Sequence, residues 1–168
     1  MYQVGEYVIY NDIGICVVEN IGKLCFSEDK EKLYYTLRPL NAHAYSRYYV
    51  PVNTHVFMRN AITKQEAFQY LIELKGMKTK PYMAKRMAQL MAYYDELLIK
   101  HNIIDYLRLY KELCQKEKCA KESGKKLGRM ESDLKVYIEK NLVSEFAYAL
   151  SESPVLSKKR LYEALCLG

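Results

Sequence analysis

Catalysis or metal binding needs titratable or nucleophilic side chains in groups, and the three histidines and five cysteines of this 168-residue chain do not form one. His43, His55 and His101 have no cysteine at zinc-ligand spacing. The cysteines at 16, 25, 114, 119 and 166 contain no Cys-x-x-Cys pair. Cys114 and Cys119 sit too far round a helix to share a tetrahedral site. The run Gly124-Lys-Lys-Leu-Gly128 lacks the Walker spacing and its Gly-Lys-Ser/Thr ending. Asp and Glu residues lie mostly beside lysines on helical stretches and read as solvated i,i+4 pairs. A Cys/His nucleophile pair is assembled in space rather than along the chain, and no feature argues for one. The expectation is a protein that is not an enzyme, with no catalytic residue, metal or cofactor and no small-molecule substrate.

Basic residues interleaved with apolar ones give the stronger chemical signal. Lys75, Lys78, Lys80, Lys85 and Arg86 occur with no acid among them, and Met77, Tyr82 and Met83 are set between them. A cationic segment at a helix N-terminus attracts phosphate. Tyr82 or Met83 could stack on or wedge against bases, as apolar side chains do in minor-groove binders. The plainer reading is a solvated lysine-rich linker with Tyr82 and Met83 turned into a core. A second cluster, Lys116, Lys118, Lys121, Lys125, Lys126 and Arg129, is interrupted by Glu117 and Glu122. It reads as a solvated turn that could add phosphate contacts.

Two kinds of element must position these residues. Up to about residue 60 the chain runs in short Val-, Ile- and Tyr-rich stretches bounded by Gly, Asn, Asp or Pro, a pattern of strands in a small bent sheet or barrel. Strands are predicted at about Tyr7–Tyr10, Ile15–Ile21, Leu33–Leu37, Arg47–Val50 and Val56–Met58, the third stopping before Pro39 because proline cannot donate to a ladder. Gly14 is read as a position of positive φ or close backbone approach. In the doublets Tyr34-Tyr35 and Tyr48-Tyr49 one ring faces the core and the other faces out. The outward rings are either sheet-surface packing or a partner surface.

Beyond residue 60 the period changes to that of helices. Thr63 and Glu66 form a capping box, and Gly76 ends the first helix. A second helix is predicted from about Pro81 to Ile99, with Met83, Met87, Leu90, Met91, Tyr94 and Leu98 on its inner stripe. Further helices are expected at 103–119 and 129–150, with Ser153-Pro154 opening the last. One-sided stripes on five helices make a bundle. The fold class is therefore α+β, with a small β-barrel over 1–60 and an all-α helical bundle over 61–168. Charge follows the same division. Residues 1–60 carry six basic and six acidic residues, so the net charge of +6 belongs wholly to the helical part. No apolar run approaches the roughly 20 residues of a membrane span. No secretory signal opens the chain, and the scattered cysteines read as reduced thiols. A cytoplasmic location is expected, with no membrane partner.

The N-terminal residues resemble the CarD/CdnL family of bacterial transcription regulators. The resemblance is carried by Val4-Gly5-Glu6-Tyr7-Val8-Ile9-Tyr10, by Gly14 to Val18, by Tyr34-Tyr-Thr-Leu37, by Val50-Pro51-Val52 and by Arg59. The family's opening reads like Val-Gly-Asp-x-Val-Val-Tyr-Pro-x-His-Gly, and this chain has Glu6, Asn11 and Ile13 where the family has Asp, Pro and His. The resemblance implies a Tudor-like module that binds the β subunit of RNA polymerase. It also implies a helical domain that contacts promoter DNA at the upstream edge of the melted bubble, where the family uses a tryptophan wedge. This chain has no tryptophan, and the corresponding place is Tyr82-Met83, of which the flat ring of Tyr82 is favoured for stacking.

The expected polymerase contacts are Arg47, Tyr48, Tyr49, Pro51 and Arg59. The expected DNA contacts are Lys78, Lys80, Tyr82, Met83, Lys85, Arg86, Lys125, Lys126 and Arg129. An alternative from another class is a Tudor-like module associated with RNA or the ribosome.

Overall fold

A computed structural model describes residues 1–27, 29–40 and 45–165. His43 and Cys166 lie outside the described residues. The chain divides into two compact units, Met1–Ile62 and Thr63–Gly168.

The first unit is an antiparallel sheet of five strands, β1 (Tyr7–Tyr10), β2 (Gly14–Lys23), β3 (Leu33–Pro39), β4 (Tyr48–Pro51) and β5 (Met58–Asn60), in the order β4-β3-β2-β1-β5. A short 3-10 turn, Asn11–Ile13, joins β1 to β2 and closes on Gly14, whose φ of 84° is the left-handed region that glycine enters without strain. The core face carries Val8, Cys16, Val18, Tyr35, Leu37 and Val50. Tyr2 closes it from outside the strands: its ring meets Tyr35 edge-to-face at 5.8 Å, and its hydroxyl donates to Met58 O at 2.8 Å.

An irregularity in the β2–β3 register between Val18 and Asn20 puts one extra residue, Glu19, into β2. Strict alternation from Cys16 and Val18 would turn Asn20 inward. With the bulge, Ile21 stands opposite Tyr35 and packs on the core instead.

Several predicted bounds are corrected. β2 is longer than Ile15–Ile21. β4 begins at Tyr48 and includes Pro51. β5 is Met58–Asn60 rather than Val56–Met58, because it pairs with Val8–Tyr10 of β1, with Val8 opposite Asn60 and Tyr10 opposite Met58. β3 runs through Pro39, which pairs with Cys16. Leu40 N donates to Ile15 O at 3.0 Å, so the neighbouring Pro39 nitrogen points toward the β4 side, where pairing stops at Leu37 and no donor is needed.

The second unit holds α1 (Lys64–Gly76), α2 (Met87–Leu98), α3 (Ile103–Glu122), α4 (Arg129–Leu150) and α5 (Pro154–Leu165). Both halves of the capping box form: Glu66 N donates to Thr63 Oγ1 at 3.2 Å, and Thr63 N donates to the Glu66 carboxylate at 2.7 Å. α1 packs against α3, α4 and α5, while α2 packs on α3. Leu74, Leu107, Tyr110, Leu113, Ile138, Leu142, Phe146 and Leu161 fill the core. Burial pushes the Cys114 thiol up to about 11, and the Cys16 thiol of the sheet unit to about 12, so both are inert apolar fillers. No helix among the described residues is long and apolar enough to cross a membrane.

The second helix departs most from its sequence reading. It starts at Met87, not near Pro81, and residues 77–86 are non-helical. Met83, Met87 and Met91 are exposed rather than inward, and Tyr94 is the buried residue of α2. The methionine spacing suits a helix, but tyrosines make the contact with α3.

Candidate functional site

Two surfaces are built from the residues that the sequence singles out, one on each unit.

The first is the β4 edge of the sheet. β4 stands at one end of the strand order and pairs with β3 through Tyr34–Pro51, Tyr35–Val50, Thr36–Tyr49 and Leu37–Tyr48. Val50 lies in the core against Tyr35, so Tyr49 and Pro51 belong to the outer face. Tyr49 is 46% exposed, and Phe26 of the β2–β3 connection meets it edge-to-face at 5.3 Å. Tyr48 is also exposed. Arg47, just before the strand, ion-pairs through Nε with Glu19 and donates from Nη1 to Ser46 O at 2.9 Å. Arg59 is placed elsewhere: it lies on β5, at the opposite end of the strand order, with Nη1 donating to Asn60 O at 3.1 Å. The structure thus gathers Arg47, Tyr48, Tyr49 and Pro51 on one edge and separates Arg59 from them. It adds three residues that the sequence did not single out, Phe26, Arg38 and Glu19. A glutamate in a Val-Ile strand is the signal that could have found Glu19.

The second is a groove in the helical unit. Lys80, Pro81 and Met83 line one part of it; Lys116, Cys119, Lys125, Lys126, Leu127, Gly128 and Glu131 are among the residues of the other, around a space of about 530 Å³. Two clusters that lie far apart in sequence therefore face one cleft, with four lysines against one carboxylate. Local geometry explains the placement of Lys125. α3 ends in a Schellman motif: Gly124 takes φ 66°, its N–H donates to Lys121 O at 3.0 Å, and Lys125 N donates to Ala120 O at 2.8 Å. That bond fixes the backbone at the groove's rim. Lys78, Lys85 and Arg86 belong to the same 77–86 segment but are not among the groove's residues. Arg129 opens α4, highly exposed, with Asp133 3.8 Å away.

The 77–86 segment is held down on α3. Thr79 Oγ1 donates to Gln115 Oε1 at 3.0 Å. The Tyr82 ring stacks on Tyr93 at 4.4 Å, and its main chain hydrogen-bonds the Glu112 carboxylate. Tyr93 donates to both oxygens of Glu112, at 2.9 and 3.0 Å. Beside it Tyr94 donates to Glu131 at 2.5 Å, and Lys116 Nζ bridges Glu131 (2.7 Å) and Tyr94 (3.0 Å). Burial, then the bond to Glu112, pushes the Tyr93 phenol up to about 12, and burial with Glu131 raises Tyr94 as well. Both phenols are therefore neutral donors near pH 7. Burial also raises Glu112, outweighing the hydrogen bonds that favour its charged form.

Tyr82 is accordingly an anchor, 38% exposed with one face covered by Tyr93, whereas its neighbour Met83 is 80% exposed. The sequence reading favours Tyr82 as the projecting group, and the anchoring partners Tyr93 and Glu112 lie too far along the chain to be foreseen from it.

Residues 2–62 match the family model of the CarD-like/TRCF RID domain, which supports a CarD-like family member. The matched span coincides closely with the sheet unit. The RID domain is an RNA polymerase-interacting domain, and the match supports a transcription-related, polymerase-binding role for the chain. No curated protein matches the sequence.

Proposed function

With the sheet unit carrying the CarD-like/TRCF RID match, we propose that this chain is a non-enzymatic transcription regulator with two contacts. It docks on the β subunit of RNA polymerase through the β4 edge. Its helical unit then meets promoter DNA near the upstream edge of the bubble and modulates open-complex stability. The observation that carries the reading is the coincidence of that domain match with a sheet whose terminal strand bears Tyr48 and Tyr49 at an exposed edge, with Arg47 just before it. An extended partner segment adds to such an edge through main-chain hydrogen bonds, and side chains set its specificity.

The helical groove supports the DNA contact. Lys80, Lys125 and Lys126 converge beside Met83, which suits a phosphate backbone passing an apolar side chain. A few lysines give weak, salt-dependent affinity for duplex DNA alone. Tethering to polymerase raises the local DNA concentration to roughly millimolar, where weak contacts suffice. Between the two candidates for an apolar contact at the duplex–bubble junction, the geometry favours Met83, with Tyr82 holding the segment that presents it. An apolar wedge costs least where bases are already unstacked.

Retention of the full-length chain on core RNA polymerase tests the docking. Arg47→Glu combined with Tyr49→Ala should greatly reduce retention with the fold intact, since docking is expected to depend on these edge residues. Undiminished retention would mean that another edge docks. Recovery of ribosomes or structured RNA without polymerase would replace this reading with that of an RNA-binding module.

A further inference from the structure

Arg38 and Arg47 face each other where the β3–β4 ladder runs out. The last paired positions are Leu37 and Tyr48, and the next step of the same antiparallel register sets Arg38 opposite Arg47. Like charges directly across a ladder are destabilising. Glu19 pairs with both: it accepts from Arg38 Nε on Oε1 at 2.5 Å and pairs with Arg47 Nε through Oε2.

Glu19 is the extra residue of the β2 bulge, between Val18 opposite Leu37 and Asn20 opposite Thr36. A bulge re-aims a side chain, and here it turns a carboxylate to the outer face, toward two guanidinium groups on neighbouring strands. None of the three is sequestered: the side chains of Arg38, Arg47 and Glu19 stay 37%, 30% and 29% exposed. Ion pairs at that exposure contribute little to stability, so stability does not account for setting two arginines face to face. Both guanidinium groups, each holding Glu19 through its Nε, lie at the edge where the docked segment would lie.

We infer that Glu19 is a positioning residue, which fixes the planes of Arg38 and Arg47 so that together they receive the carboxylate of an acidic side chain on the segment docked beside β4. Guanidinium groups bind carboxylates as planar forks, so their orientation decides how many hydrogen bonds a partner makes. Ordering two long side chains before the encounter removes an entropic cost from binding. The inference rests on the docking reading above, and it makes a prediction of opposite sign to simple charge counting. Glu19 as a bare negative charge would repel an acidic partner, and its removal would tighten binding.

The test measures affinity of the full-length chain for core RNA polymerase. Glu19→Gln should weaken binding about fivefold or more, through lost pre-ordering of both arginines. Glu31→Gln removes the same charge from the exposed Lys23–Glu31 pair of the hairpin, at a side chain 84% exposed, and should leave affinity unchanged or slightly raised. Glu19→Gln binding as tightly as wild type, or tighter, would overturn the inference. A background of Arg38→Gln with Arg47→Gln separates positioning from damage to the sheet. In that background Glu19→Gln should cost nothing more, and an undiminished loss there would also overturn it. A wild-type chain that does not bind polymerase removes the docking reading itself, whereas wild-type binding with either overturning result strikes out the role of Glu19 alone.

Discussion

Replacing Lys80 and Lys125 by glutamine should change how salt affects the polymerase–promoter complex by a calculable amount. The two lysines come from the two sequence clusters that line the helical groove, and both substitutions remove charge without reversing it. Each phosphate contact contributes a slope of about −0.9 to log K against log salt concentration. Losing two contacts should make the slope shallower by about 1.8, so a fourfold rise in salt weakens the variant about 12-fold less than wild type. The assay is a salt titration of binding to polymerase on a forked promoter fragment, with polymerase lacking DNA as the reference. Only the DNA-dependent part of the slope should change. If both slopes match wild type, the lysines do not reach phosphates, and the groove serves some other ligand.

Met83→Ala should shorten the lifetime of open promoter complexes while leaving stability within about 0.5 kcal/mol, as expected for an exposed side chain. Tyr82→Ala should instead lower stability by roughly 0.5–1.5 kcal/mol through loss of the stacked pair with Tyr93, read by urea unfolding; the reverse pattern would return the projecting role to Tyr82. Thr63→Ala breaks the capping box and should cost about 1 kcal/mol, seen in the same unfolding curves, whereas no loss would mean that α1 starts without its cap. Glu117, lowered chiefly by its bond from Lys135, supports the fold above the ordinary value of 4.5, and that support is lost as pH falls through the lower folded value. Glu112, raised chiefly by burial, has the opposite sign: its ionisation weighs against the fold as pH rises past 4.5. Glu112→Gln should therefore match or exceed wild-type stability at pH 7 and lose that advantage below about pH 4.5; a large loss at pH 7 would show that the charged form is needed.

Local signals were legible where one element determines its own limits. β1 at Tyr7–Tyr10 and α4 at Arg129–Leu150 fall where period and flanking residues put them, and the Thr63 capping box forms as the Thr-x-x-Glu spacing implies. The α2 start was not legible. Pro81 looks like a first helical residue, and Met83 continues the spacing of Met87 and Met91. Yet stacking on Tyr93 and bonds to Glu112 and Gln115 hold that stretch extended over α3. Those partners come from residues 11 to 36 positions away, and no local pattern announces them. The β2 bulge is hidden for a similar reason. Alternation from Val18 would put Asn20 inward, which signals an irregularity without locating it, and only pairing with β3 shows that Glu19 is supernumerary. Of the candidate docking residues, Tyr48 and Tyr49 were legible as a doublet, while the sharing of Glu19 by Arg38 and Arg47 depended on that register.

Lys111 is buried in α3, and its ammonium donates to Leu74 O in the last turn of α1 at 2.8 Å, across 37 residues of sequence. The carbonyl is one of those a helix leaves unpaired at its C-terminal end, so the bond keeps α1 from fraying just before the chain enters residues 77–86. That stretch is then a closed loop rather than a tail, fastened at its entry by Lys111, in its middle by Gln115 and Tyr93, and at its exit by α2. Ordering a backbone residue costs on the order of 1–2 kcal/mol, and for these residues the cost is incurred in folding, before any nucleic acid arrives. A phosphate contact at Lys80, as proposed, would be made by a side chain on a backbone already tied down by these contacts, so the cost left at binding would be mainly that of the side chain.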